Sequence, residues 1–203
     1  MSSPSQQRMD ELLSAFVEGF GKLDDLDFFP EIDPIAAALT AGEPDQYGMI
    51  RWQPRSLQTD AASLEMLYTK LPARFPPLFE RLLLTYRWAE VDLETYRLLP
   101  NPLGPDLKGF LGQMTRDKGL WDALIPAGFM QFGRGPDIDY DPICFDISSR
   151  KQNRDMRIVK IDHEDILCNC RVRVVAELAP TFFALVQDTI NLATRVREDS
   201  RPA

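Results

Sequence analysis

The chain has 203 residues, of which 44% are hydrophobic and 27% charged, and its formal net charge is −8. This length and composition are those of a globular protein with one large domain, which needs neither disulfides nor a metal to fold. Three cysteines do not make a secreted disulfide framework, and no segment has the basic-then-apolar pattern of a leader or the ~18 apolar residues of a membrane helix. The sequence therefore predicts a cytoplasmic protein with no membrane partner.

Acidic residues are concentrated in the first third of the chain. Residues 1–66 contain 12 Asp or Glu and four Lys or Arg, so this segment alone carries the net charge of −8. An acidic segment repels phosphate backbones and favours basic partners, and we therefore expect no direct nucleic-acid binding. The alternative is a solvated surface that serves solubility alone.

Residues 1–70 are predicted to form an acidic helical extension that packs on the rest of the chain. Apolar residues between 6 and 20 fall on one helical stripe: Met9, Leu12, Leu13, Phe16 and Phe20. Asp33 and Pro34 have the order of an N-cap and a first helical residue, and Asp60 is predicted to cap the next helix.

Residues 71–195 are predicted to form the main domain. A helix beginning at Pro76-Pro77 places four apolar residues on one face: Phe79, Leu82, Leu83 and Tyr86. Strands are predicted at 88–93, 96–100, 129–132, 143–147, 157–161 and 172–175, and helices at 105–114, at 120–124 and from Pro180 onward. Runs of strands followed by a helix favour an α+β fold with a mostly antiparallel central sheet flanked by helices. Residues 196–203 are predicted to be a frayed tail.

The sole histidine, His163, lies between Asp162 and Glu164 and is the side chain best suited to general base catalysis near neutral pH. No Gly-x-Ser-x-Gly elbow supplies a nucleophile. We interpret the three residues as a polar strand end and expect no catalytic residue. An enzyme that uses His163 is the least favoured alternative.

Three patterns contain metal or nucleotide ligands but depart from the required spacing. The set Cys144, Cys168, Cys170 and His163 has Cys3His composition, yet its close pair is C-x-C rather than C-x2-C. Asp137, Asp139 and Asp141 match positions 1, 3 and 5 of a calcium loop, but Pro142 and Ser148 stand where Gly and Glu are required. Gly133 and Gly135 lack the third glycine of a dinucleotide loop. We expect no metal and no cofactor, and interpret the aspartates with Tyr140 as an acidic hairpin loop available to a partner.

Basic residues cluster between two predicted strands: Arg150, Lys151, Arg154, Arg157 and Lys160. A nucleic-acid patch would add interleaved aromatic residues and a basic surround. Asp155 and the acidic loops lie nearby in the sequence, so we interpret this cluster as a solvated turn.

Five segments between residues 70 and 190 occur in a fixed order. They are Leu71-Pro72 with Phe75 before a helix, Phe129 to Gly133, Cys144-Phe145-Asp146, Val159 to Glu164, and Ala176 to Val186, read as a closing helix. In this order they resemble the SMI1/KNR4 superfamily, also called SUKH.

The resemblance implies a non-catalytic protein-binding module. Many bacterial members are immunity proteins that neutralise polymorphic or contact-dependent toxins, often nucleases, and fungal members are scaffolds in cell-wall signalling. The acidic first third fits a toxin domain with a basic surface, because complementary charge speeds association. The alternative is a scaffold or regulatory protein for the cell's own proteins. The candidate partner-binding residues are Asp137, Asp139, Tyr140, Asp141, Asp162, His163 and Glu164.

Overall fold

A computed structural model describes residues 4–199. The first third contains short helices and strands: α1 (Pro4–Glu18), α2 (Phe20–Leu23), β1 (Asp27–Phe28), α3 (Pro34–Ala37), β2 (Ile50–Arg51), β3 (Arg55–Ser56) and α4 (Ala62–Tyr68). The predicted cap at Asp33 is present, whereas the N-cap of α4 is Ala61, one residue after the predicted Asp60. Asp33 accepts hydrogen bonds from the N–H groups of Ile35 and Ala36, and Asp60 accepts one from Ala62. β1 pairs with β2, which folds this segment back on itself.

A six-stranded antiparallel sheet forms the centre of the molecule. Its strands are β5 (Val91–Asp92), β6 (Arg97–Leu98), β7 (Phe129–Arg134), β8 (Pro142–Asp146), β9 (Ile158–Ile161) and β10 (Val174–Ala179), and each pairs with the next. Before the sheet lie α5 (Pro77–Thr85) and β4 (Tyr86–Arg87), and β4 pairs with β3. Between and after the strands lie α6 (Lys108–Met114), α7 (Lys118–Leu124), α8 (His163–Asn169) and α9 (Phe182–Asp199). The predicted α+β class with an antiparallel sheet is confirmed.

Phe79 of α5 lies at the centre of the hydrophobic core. Its ring is within 6 Å of five others: Phe75, Phe110, Phe132, Phe145 and Phe182. Residues of the first third, among them Leu13 and Phe16, belong to the same buried cluster. Asp10 also accepts two hydrogen bonds from Arg81, at 2.7 and 3.0 Å. The first third and the sheet therefore share one core.

Two segments differ from the sequence-based prediction. Asp162, His163 and Glu164 do not end a strand; Asp162 is the N-cap of α8 and its carboxylate accepts the N–H of Asp165. The strand predicted at 172–175 is β10, which extends through Ala176 to Ala179 and pairs with β9; the resemblance had grouped these residues with the closing helix. α9 begins at Phe182, two residues after the predicted start at Pro180. The sheet pairing overrides the helix propensity of Ala, Glu and Leu in β10.

The predicted tail begins inside α9, which continues to Asp199, and residues 200–203 lie outside the described part of the chain. None of the helices in residues 4–199 is both long and apolar enough to cross a membrane.

Candidate functional site

The loop between β7 and β8, residues 135–141, is named here the hairpin loop. It is closed by backbone hydrogen bonds from Gly135 N–H to Asp141 O and from Asp139 N–H to Pro136 O, each 2.9 Å long. A Cβ on Gly135 would lie 2.2 Å from Cγ of Asp139, so the tight closure requires glycine at this position. The side chain of Ile138 at the tip is 86% exposed.

The hairpin loop is bound to the start of α8. One carboxylate oxygen of Asp141 accepts the backbone N–H of His163 at 2.9 Å and lies 2.7 Å from ring Nδ1 of the same residue. The ring of Tyr140 meets the His163 ring edge to face, with centroids 6.2 Å apart. Three of the predicted site residues are therefore in mutual contact, whereas Glu164 is exposed on the first turn of α8.

Lys160 on β9 neutralises part of the hairpin loop. It forms ion pairs with Asp139 and, at 3.4 Å, with Asp141. Burial raises the pKa of Asp139, but the hydrogen bonds from Lys160 and from the Asp141 N–H outweigh it, so the net pKa is lowered. Within the described residues Asp137 has no ion pair, so it is the aspartate of the triplet that keeps its full charge for a partner.

Asp137 also belongs to an acidic face, defined here by Asp24, Asp25, Asp92, Glu94 and Asp137, which lines a shallow cavity together with Leu23 and Pro136. Hydrogen bonds join its three segments. The N–H of Asp92 donates to the Asp24 carboxylate at 2.9 Å, and the N–H of Asp137 donates to the Asp92 carboxylate at 3.0 Å. The acidic first third is thus brought directly against the hairpin loop.

On the other side of the hairpin loop lies a cleft of about 840 Å³. Its lining consists of Glu90, Leu99, Gln113, Arg116, Asp117, Lys118, Leu120, Gln131, Arg134, Tyr140, His163 and Leu167. Glu90 forms ion pairs with both Arg97 and Arg134, and the Arg134 guanidinium lies 5.9 Å from the centroid of the Tyr140 ring. Among these residues, only Tyr140 and His163 were predicted from the sequence.

The lining residues that the sequence analysis missed come from distant parts of the chain. Glu90 interrupts an apolar run directly before β5, which marks a polar position, but Arg134 lies 44 residues further along. No periodic pattern connects two such residues, so only the sheet order reveals that they meet.

The cleft does not place a hydroxyl or thiol nucleophile beside His163. His163 is oriented by Asp141, as a general base would be, but the lining contains no serine, threonine or cysteine. Asp162 and Asp165, next to His163, are paired with arginines: Asp162 with Arg173, and Asp165 with both Arg173 and Arg171.

The Cys3His set that was not expected to bind a metal is divided between the interior and the surface. Cys144 is fully buried in β8, and burial raises the pKa of its thiol, whereas Cys168 and Cys170 are exposed. In the described part of the chain, no three His, Cys, Asp or Glu side chains are placed to hold a metal ion.

Three residues of the basic cluster form ion pairs with carboxylates. Arg154 donates two hydrogen bonds to Glu80, Arg157 pairs with Asp146, and Lys160 pairs with Asp139. The remaining two, Arg150 and Lys151, are exposed.

No protein-family model matches this chain, and no curated protein matches it significantly.

Proposed function

We propose that this chain is a non-catalytic protein-binding module that contacts its partner through the hairpin loop and the acidic face. The observation that carries the proposal is the position of Ile138. This side chain is 86% exposed at the loop tip, and it follows directly after Asp137 of the acidic face. An apolar anchor beside charged groups has the arrangement of a protein-interaction hot spot with its polar rim.

A single exposed isoleucine is common on protein surfaces and needs a second observation before it indicates binding. Here that observation is the convergence of five carboxylates from three separate segments beside it. Asp92 is paired with Arg97 at 3.7 Å, and the other four have no ion pair with a described residue. Like charges placed together oppose folding, so a partner with positive charge would relieve the repulsion among these four. The surface therefore fits a partner with a basic face.

The hairpin loop is also held in one conformation. Lys160 binds two of its aspartates, Asp141 is bonded to α8, and Gly135 closes its base. A loop that is ordered before binding loses little conformational entropy when the complex forms, which favours affinity.

The partner we propose is a bacterial polymorphic or contact-dependent toxin domain, and the chain is then the immunity protein that neutralises it. The segment order that resembles the SMI1/KNR4 superfamily supports this assignment. A nuclease toxin carries a basic face to hold its substrate, and an acidic protein that covers this face blocks the substrate from entering.

The proposal predicts that a toxin domain is encoded beside this chain, and the test is protection of cells from that domain. The chain and that domain are co-expressed, and viable counts are compared with those of cells expressing the toxin domain alone. We expect the chain to restore growth and to co-purify with the toxin. A neighbouring toxin domain that kills cells equally with and without the chain would contradict the immunity role.

Matched variants test the contact surface. Ile138→Ser is expected to weaken binding about tenfold or more, as for loss of a hot-spot side chain. Ile32→Ser is the control, because Ile32 is 74% exposed in a different turn and lines neither the cleft nor the acidic face. Equal binding by the two variants would show that the hairpin loop is not the contact surface.

A further inference from the structure

The cleft beside the hairpin loop has more positive than negative side chains, although the chain as a whole carries −8. Arg116, Lys118 and Arg134 line it together with Glu90 and Asp117. Charges further apart than about 8 Å are largely screened at physiological ionic strength, so the local surplus matters more than the net charge. Lys118 is paired with Asp122, which lies outside the lining, so the part of the cleft that favours an anion is the part beside Arg116.

Both carboxylates of the lining are already engaged. Asp117 is the N-cap of α7 and accepts the N–H of Leu120 at 3.0 Å. Glu90 is held between Arg97 and Arg134. Arg97 also pairs with Asp92 at 3.7 Å, so these two guanidinium groups are balanced by two carboxylates, and Arg116 is the arginine of the lining that has no ion pair with a described residue.

Unused hydrogen-bond donors point to the same conclusion. Nε of Arg134, which lines the cleft, is buried and has no hydrogen-bond partner in the described part of the chain. The side chain of Arg116 has no ion pair or hydrogen bond to any residue between 5 and 196. Buried donors without acceptors are costly, so an acceptor that enters the cleft is stabilised.

The rest of the lining suits the stem of an amino-acid side chain. Leu99, Leu120 and Leu167 supply apolar surface, and Gln113, Gln131 and Tyr140 supply neutral polar groups. A guanidinium group binds a carboxylate through two parallel hydrogen bonds, which a point charge does not offer.

We propose that the cleft binds a carboxylate, supplied by an acidic side chain of the bound partner; this source of the carboxylate rests on the proposed function. The hairpin loop lies between the cleft and the acidic face, since Tyr140 lines one and Asp137 the other. A partner must therefore place an acidic side chain in the cleft while basic groups meet the acidic face. Such alternation of charge fixes the orientation of the complex and rejects uniformly basic proteins.

The test uses the intact chain and two blocked amino acids that differ by one charge. N-acetyl-glutamate N-methylamide and N-acetyl-glutamine N-methylamide are titrated into ¹⁵N-labelled protein, and backbone amide and arginine Nε–H resonances are followed by NMR. We expect saturable shifts at Gln131, Arg134 and Leu167 with the glutamate compound and none with the glutamine compound. Equal shifts with both compounds, or with neither, would overturn the proposal.

Two substitutions and one further probe complete the experiment. Arg116→Gln is expected to weaken binding of the glutamate compound about tenfold, because one charged hydrogen-bonding group is lost. Arg150→Gln makes the same charge change at an exposed arginine that does not line the cleft, and its affinity should equal that of the original chain. An Arg116→Gln variant that binds as tightly as Arg150→Gln would refute the site.

Inorganic phosphate is titrated in parallel. Binding of phosphate without binding of the glutamate compound would overturn the carboxylate assignment. The titrations require no toxin, so a negative titration refutes the carboxylate site without bearing on the immunity role. If the glutamate compound binds saturably but the chain does not protect cells, the carboxylate site is supported and the immunity role is refuted.

Discussion

Asp141 and His163 join the hairpin loop to α8 through a single carboxylate oxygen. This oxygen accepts the backbone N–H of His163 at 2.9 Å and lies 2.7 Å from the ring Nδ1. Asp162 accepts a second N–H of the same turn, that of Asp165, at 2.9 Å. Carboxylates at the first turn stabilise a helix by satisfying free N–H groups and by opposing the positive end of its dipole. The loop and the helix therefore form one structural unit.

Replacing Asp141 should weaken this unit. Asp141→Ala removes an acceptor from the first turn of α8, and we expect the free energy of unfolding to fall by about 1–2 kcal/mol in urea denaturation. Asp122→Ala is the control, since Asp122 is exposed and pairs only with Lys118 one turn away. Its effect should stay within about 0.5 kcal/mol. If both variants lose the same stability, the Asp141 bond does not anchor α8.

Arg87 is a fully buried cation that has no ion pair with a carboxylate in the described residues. Its guanidinium donates to the carbonyl oxygens of Leu83 and Tyr86 at 2.7 and 2.9 Å, and to the hydroxyl of Thr59. Asn101 donates to the same two carbonyl oxygens, at 3.1 and 2.8 Å. Burial lowers the pKa of Arg87, because desolvation disfavours its charge. The negative end of α5 offsets this cost.

The shared carbonyls predict that Arg87 and Asn101 are energetically coupled. Arg87→Met and Asn101→Leu should each cost about 1–3 kcal/mol of unfolding free energy, because the other donor still serves Leu83 and Tyr86. The double variant leaves both carbonyl oxygens without a side-chain donor, and should therefore lose more than the sum of the single losses. Urea denaturation of the four proteins measures the coupling. Additive losses would show that the two donors act independently.

Local signals in the sequence were sufficient for much of the fold. The apolar stripe of α1 and the Asp33-Pro34 start of α3 need only information from neighbouring residues. α8 was missed although its signal was present, since Asp162 is followed by the acidic residues Glu164 and Asp165, as at many helix starts. β10 was predicted too short, at 172–175, because Ala176 to Ala179 favour a helix locally, and the pairing with β9 that decides their structure is a distant contact.

The residues of the candidate site also fall into two groups, those with a local signal in the sequence and those without one. Asp137, Asp139, Tyr140, Asp141 and His163 were found from local composition. Asp24, Glu90 and Arg134 were not, because their partners lie 68 or 44 residues away. Such contacts depend on the order of strands in the sheet, which a single sequence does not encode locally.

Asp146 predicts a specific dependence of stability on pH. Burial of this carboxylate raises its pKa, but hydrogen bonds from Ser148 and Arg157 outweigh burial, and the net pKa is lowered. A lowered pKa contributes stability above the unfolded value of about 3.9, and this contribution is lost as the pH falls below it. Asp146→Asn should therefore be less stable than the original chain at pH 7, and the difference should shrink below about pH 4.

Urea denaturation at pH 7, 4 and 3 measures this effect. Asp188→Asn is the control, because Asp188 is exposed on α9 and has no ion pair with a residue of the described chain. Its difference from the original chain should be small at every pH. A difference for Asp146→Asn that stays constant down to pH 3 would contradict the role of the charged form.

Phe16 tests whether the acidic first third and the sheet unfold together. Phe16 is fully buried, packs edge to face on Phe20 with centroids 5.2 Å apart, and belongs to the cluster that contains Phe79. Phe16→Ala should therefore lower the free energy of unfolding by about 3–5 kcal/mol. In native-state hydrogen exchange, we expect protection to fall equally in α1 and in β7 and β8, because one core supports them all. Phe183→Ala, at a phenylalanine that is 54% exposed on α9, should change protection little in either region. A loss confined to α1 would mean that the first third opens alone, and its acidic residues would then reach a partner independently of the hairpin loop.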